Sequence, residues 1–146
     1  IARHEGSFEA NPPFIPAVID RMASVIDRAL ASAAAADLAL SFVVIVPSWS
    51  PEKAGACKGL EASRYLQRRS LSRNRRHDYC EGAQYKKRVG QYRRSTCDTA
   101  IYFLQTARAA KRWPASEDSC GSLLSALAGS SSVGTEIPIA QRRFPR

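Results

Sequence analysis

The chain is 146 residues long, enough for one domain of ordinary size, and its 45% hydrophobic content is that of a globular protein. Its 22 Lys and Arg against 13 Asp and Glu leave a net charge of +9, which favours a polyanionic partner, nucleic acid first. It offers no apolar run of membrane-spanning length and no charged-then-apolar leader. Cys57, Cys80, Cys97 and Cys120 form neither a C-x-x-C pair nor a Cys/His cluster for zinc, so the composition reads as soluble and intracellular with free thiols in a reducing compartment.

The first informative stretch is Gly6 to Phe14, GSFEANPPF. Ser7 to Ala10 reads as a short strand, and Pro16 as the first residue of a helix, which puts Asn11-Pro12-Pro13-Phe14 at the carboxyl end of a strand. Open α/β sheets bind their ligands there. N-P-P-aromatic is the pattern by which adenine and cytosine amino-group methyltransferases hold the nitrogen they modify. An exocyclic amine is a poor nucleophile because its lone pair is delocalised into the ring. The Asn11 side-chain carbonyl and the Pro12 backbone carbonyl would each accept one amine hydrogen and turn that lone pair outward. The prolines fix φ and donate no backbone hydrogen bond. Phe14 offers a ring for an extruded base, worth roughly 1–3 kcal/mol of stacking. Asn-Pro-Pro after a strand is also a plain turn, since Asn starts turns and Pro pre-sets them, and both readings stand at this point.

Pro16 to Ala36 is the clearest helix, with Val18, Ile19, Met22, Val25, Ile26, Ala29, Leu30 and Ala33 on one face of a 3.6-residue period. Leu38 to Val46 is nearly unbroken apolar sequence, as expected of a strand buried on both faces, so strand, helix and strand form a βαβ unit. Pro47 stops that strand, and Ser48 to Pro51 loops out on the same rim as the Asn-Pro-Pro-Phe stretch. Trp49 in that loop is either a stacking platform or a partly buried anchor. Glu52 to Leu66 is expected to be a second helix, weakened by Gly55 and Gly59.

Arg64 to Arg94 carries eleven of the 22 basic residues, against only Asp78 and Glu81, with Tyr65, Tyr79, Tyr85 and Tyr92 interleaved. Basic groups alternating with aromatic rings suit phosphate contact and base stacking on single-stranded RNA, and Trp49, Arg64, Arg73, Arg75, Arg76, Lys86 and Lys87 are the candidate contacts. A solvated charged loop or a nuclear-localisation signal has the same composition. Thr99 to Leu104 returns to strand character, Ala107 to Trp113 reads as a short turn or helix, and Ser122 to Ala128 as a brief helix. From Gly129 the chain is rich in Ser, Gly, Pro and Arg, as in a disordered tail.

GSFEANPPF, LSFVVIVPSW, SRY, HDY with EGAQ, and TAIYFLQ before KRW together resemble the catalytic domain of the cap-specific mRNA adenosine N6-methyltransferase family, the phosphorylated-CTD-interacting factors. The similarity runs from about Gly6 to about Leu127. It implies an α/β chain with part of a Rossmann-like class I methyltransferase fold, the carboxyl-terminal half of its sheet, over residues 1–128. It further implies S-adenosyl-L-methionine as methyl donor and the cap-adjacent 2′-O-methyladenosine of capped mRNA as acceptor. Nuclear localisation follows from the same resemblance, as does contact with the phosphorylated carboxyl-terminal domain of RNA polymerase II through regions outside this chain. Asn11, Pro12, Pro13 and Phe14 are the catalytic positions it marks. In the family an apolar strand stands where this chain has Arg69 to Arg76, RSLSRNRR, a run that cannot fill a core and is expected to break that strand.

Cofactor loops of such enzymes follow a first strand, are glycine-rich and lead to an acidic residue for the ribose. No G-x-G occurs here. In the family that loop precedes the Asn-Pro-Pro-Phe stretch, so the chain reads as the acceptor half of a catalytic domain without its cofactor half; only Glu9, Pro12 and Trp49 stand near that rim. The competing expectation is a non-catalytic basic RNA-binding or scaffold module that keeps the motif as a relic.

Overall fold

The computed structural model describes residues 5–48, 57–73, 76–80 and 92–129. It opens with β1 (Gly6–Ala10), α1 (Pro16–Ala35) and β2 (Leu40–Pro47). Pro16 sets the first turn of α1, where its missing N–H costs nothing. The helix stops in a Schellman turn: Asp37 takes the left-handed φ of 51°, its N–H meets the Ala34 carbonyl at 3.1 Å, and the Leu38 N–H meets that of Ala33 at 2.8 Å. That reversal lays β2 parallel to β1, Gly6 opposite Leu40 and Ala10 opposite Val44.

The remaining described elements are α2 (Lys58–Glu61), β3 (Leu66–Ser72), β4 (Asp78–Cys80), β5 (Tyr92–Arg94), β6 (Thr99–Gln105), α3 (Ala107–Arg112) and α4 (Glu117–Gly129). A mixed four-stranded sheet runs β1-β2-β6-β3, with β6 antiparallel to both neighbours, and β4 and β5 form a separate hairpin. Among the described residues β1 is an edge strand. Side chains alternate across the sheet. Leu40, Val44, Val46, Ala100, Tyr102 and Leu104 meet the α1 stripe of Ile19, Ala23, Ile26, Leu30 and Ala33. On the other face Ile45, Ile101 and Phe103 meet Cys120, Leu123, Leu124 and Leu127 of α4. Thr106 joins the layers: its hydroxyl caps α3 at Ala109 N–H, donates to the Leu38 carbonyl at 2.8 Å and accepts from Leu40 N–H at 3.2 Å.

Four expectations change. The α1 contact face is narrower than the apolar periodicity, since Ala23 is buried while Val18 and Val25 stay 38% and 47% exposed. The helix expected over Glu52 to Leu66 is, among its described residues, the single turn Lys58–Glu61, and Leu66 already begins β3. Gly59 is packed rather than merely permissive there, because a Cβ on it would lie 3.3 Å from that of Ala23.

The third correction is β3. The run Arg69 to Arg76 does not break the strand at its start, because residues through Ser72 pair with β6. An edge strand needs backbone partners on one side only, and long charged stems cover apolar surface while their heads reach polar groups. Arg68 Nε donates to the Ala115 carbonyl at 2.8 Å, Arg69 lies over the Tyr102 ring and beside Glu61, and Leu71 packs into the core. Charge on that edge also discourages strand-to-strand association.

The fourth is α4, which begins five residues before the expected Ser122. Ser116 accepts from Ser119 N–H at 3.1 Å, and Glu117 and Asp118 occupy the first turn. That is a serine cap with acidic residues at the positive end of a helix, a signal legible in the sequence.

Candidate active site

The register gathers one rim. β1 ends at Ala10 beside β2, Pro47 at the end of β2 pairs with Thr99 at the start of β6, and Thr99 pairs in turn with Ser72 at the end of β3. Asn11 to Phe14 leave this rim directly. Asn11, Pro13 and Phe14 are exposed and Pro12 is half-buried. Ile15 N–H donates to the Pro13 carbonyl at 2.7 Å, which occupies that oxygen in the turn into α1. Among the described residues neither the Asn11 side chain nor the Pro12 carbonyl has a hydrogen-bond partner. Both groups are free to accept a hydrogen from outside the chain.

Over the same rim stands the β4–β5 hairpin, whose strands do not show in the sequence pattern of the basic region. Three-residue strands are too short for alternation to register. The hairpin is closed by Asp78 and Arg94, which face each other across it with Nε 3.6 Å from Oδ1. His77, fully buried, bonds Ser72 Oγ through Nδ1 at 2.9 Å and Thr99 Oγ1 through Nε2 at 2.7 Å. The Tyr79 hydroxyl also bonds Thr99 Oγ1, and the Tyr79 ring meets Phe14 edge-to-face, centroids 5.1 Å apart.

Burial holds the His77 imidazole below its ordinary 6.5 and raises the Tyr79 phenol above its usual range. A base whose folded pKa is depressed binds fewer protons folded than unfolded, so the stability it contributes is present above 6.5 and falls as pH drops through that value. Melting temperatures at pH 7.5 and 5.5 should therefore differ more in wild type than in His77→Gln. Equal differences would place the acid sensitivity elsewhere.

Arg73 and Arg76 lie where β3 leaves the rim, both exposed, with Arg76 N–H turned back to the Arg73 carbonyl and Arg73 held 3.2 Å from Asp98. Arg64 does not join them. It precedes β3 at the opposite end of the sheet, its guanidinium over the Tyr65 ring at 4.8 Å. Trp49, Arg75, Lys86 and Lys87 lie outside the described residues.

Residues 1–82, which carry β1, α1, β2, α2, β3 and β4, match the family model described as the phosphorylated CTD interacting factor 1 WW domain. The chain belongs to the phosphorylated CTD interacting factor 1 family. A mouse protein named mRNA (2'-O-methyladenosine-N(6)-)-methyltransferase is 34% identical to this family member over 110 residues, 74% of the chain. A human protein of the same name matches at the same identity and coverage. The chain spans 15% of the length of each of these relatives.

The described residues do not fit a methyl-donor nucleotide by themselves. A cofactor seat of this class needs glycines in a strand-to-helix turn, whereas Gly6 enters β1, Gly59 packs on α1 and Gly121 lies within α4. The turn from β1 into α1 is instead Asn-Pro-Pro-Phe.

Proposed function

We propose that this chain forms the acceptor-base side of an mRNA cap-adjacent adenosine N6-methyltransferase, on part of a Rossmann-like sheet, with S-adenosyl-L-methionine as the methyl donor seated by residues other than those described. The observation that carries the reading is the pair of unoccupied acceptors, Asn11 side chain and Pro12 carbonyl, at the carboxyl end of a parallel strand beside a half-exposed phenylalanine. The names of the mouse and human relatives support it.

In this reading Asn11 and Pro12 accept the two hydrogens of the adenine amine, Phe14 stacks on the ring, and Arg73 and Arg76 meet phosphates of the same strand. Capped mRNA is the partner, and the phosphorylated carboxyl-terminal domain of RNA polymerase II is a second one, bound by regions outside this chain. The nucleus is the compartment where both are met.

Phe14 tests the stacking role. Phe14→Ala should lower transfer by roughly 5–150-fold, the equivalent of one lost base stack of about 1–3 kcal/mol, while Phe14→Tyr keeps the ring and most of the activity. Equal activity in Phe14→Ala and wild type would remove the base from this position. Neutralising Arg73 and Arg76 together should weaken RNA binding and reduce the slope of log affinity against log salt by about 0.7 for each phosphate no longer neutralised. An unchanged slope would make both arginines bystanders.

A further inference from the structure

Phe14 lies in a loop after an edge strand and is 40% exposed, a poor situation for a ring that must meet a base at a fixed angle. Its contact with Tyr79, 5.1 Å between centroids and 75° between planes, has the geometry aromatic pairs prefer. Tyr79 in turn is fixed twice. Its hydroxyl is bonded to Thr99, and its ring meets the His77 ring at 5.2 Å and 80°. Thr99 and His77 have no exposed surface, and His77 reaches on to Ser72. Thr99 and Ser72 are terminal residues of β6 and β3, paired with each other in the sheet. A continuous path of touching side chains thus runs from the sheet core through His77 and Thr99 to Tyr79 and the motif ring.

We infer that Tyr79 is a positioning residue, which transmits the rigidity of the β3 and β6 ends to Phe14 and so sets the plane on which the acceptor base stacks. The inference rests on the proposed function and adds to it a residue outside the Asn-Pro-Pro-Phe stretch. Tyr79 need not touch the base. Its hydroxyl is engaged by Thr99, and a phenol that burial holds above its usual range does not ionise to serve as a base in turnover. The same contacts would also serve simply to anchor the hairpin, and the two roles differ in what happens when Phe14 is already gone.

The test is a double-mutant cycle in the intact natural protein, with capped RNA beginning in 2′-O-methyladenosine. Tyr79→Leu is expected to lower kcat by about 10–100-fold, as displacements near 1 Å do, while Tyr79→Phe, which keeps the ring and loses only the Thr99 bond, lowers it severalfold. KM should change little, because the phosphate contacts lie elsewhere. In a Phe14→Leu background the same Tyr79→Leu should cost almost nothing further, since the two act as a unit. Additive losses would overturn the inference.

Thr99→Val, which puts a methyl in place of the hydroxyl that both Tyr79 and His77 bond, provides a second route if Tyr79→Leu folds poorly. It should lower kcat severalfold in the wild-type background and leave Phe14→Leu unaffected. Ring resonances of Phe14 in 13C-phenylalanine protein without RNA give a readout independent of turnover. Thr99→Val should move them toward free-phenylalanine values, and unchanged resonances would overturn the inference. Absence of turnover in wild type would count against the proposed function, while the ring shifts would still decide the role of Tyr79.

Discussion

Asn11→Ala is expected to abolish methyl transfer to capped RNA while leaving RNA affinity within about twofold, because in the proposed function the side chain accepts from the amine and does not meet the phosphates. Its amide oxygen has no internal hydrogen-bond partner among the described residues. Removing a single hydrogen-bonding group aimed at the reacting atom costs on the order of 100–1,000-fold in kcat in comparable sites. The substitution should not disturb folding, since Asn11 is exposed and its side chain supports no internal hydrogen bond among the described residues. Asn11→Asp is the sharper control. A carboxylate also accepts a hydrogen, so partial activity is expected, whereas full loss in both variants would point to a structural turn.

Tyr102→Ala is the substitution expected to cost the most stability. Tyr102 is 1% exposed at the centre of β6, its ring under the Arg69 guanidinium and its hydroxyl donating to Glu61 Oε1 at 3.0 Å. Burial raises its phenol well above the ordinary range, although the Arg69 hydrogen bond pulls the other way. Truncating a buried aromatic costs about 3–5 kcal/mol through lost transfer energy and the cavity left behind. Tyr102→Phe removes only the hydroxyl and should cost roughly 1 kcal/mol. Urea unfolding of both variants checks the pair. Equal midpoints for Tyr102→Ala and wild type would mean that β3 and α2 do not depend on this side chain.

The same tyrosine explains why β3 is hard to read from sequence. Arg68 and Arg69 look incompatible with a core strand when each residue is judged by its own polarity. In the fold Arg69 lies against Tyr102, more than thirty residues away, and Arg68 reaches the carbonyl of Ala115. Such partners are invisible to local pattern. The βαβ unit is legible because its signals are local: a proline at the start of α1, a regular apolar period, and an unbroken Val and Ile run for β2. Val18 and Val25 are the exception there, because period alone does not say how wide the covered stripe will be.

The candidate site is legible to the same extent. Asn11 to Phe14 can be placed at a strand end from neighbouring residues, whereas the arrival of Arg73 and Arg76 at that rim follows from the pairing of β3 with β6 and not from the basic run itself. Arg64 belongs to the same run but sits beyond the far end of β3, because a seven-residue strand separates them by the length of the sheet. His77 is visible only as part of a family signature, and Tyr79 only there and as one of the rings interleaved with the basic run. Their physical role depends on Thr99, which enters the rim from the antiparallel strand β6.

The most direct measurement is to incubate the intact natural protein with S-adenosyl-L-methionine carrying a deuterated methyl group and capped RNA beginning in 2′-O-methyladenosine, then to locate the label by nucleoside mass spectrometry. The account predicts label on N6 of the cap-adjacent adenosine, lost in Asn11→Ala. Label at a ring nitrogen, or N6 labelling undiminished by Asn11→Ala, would contradict it.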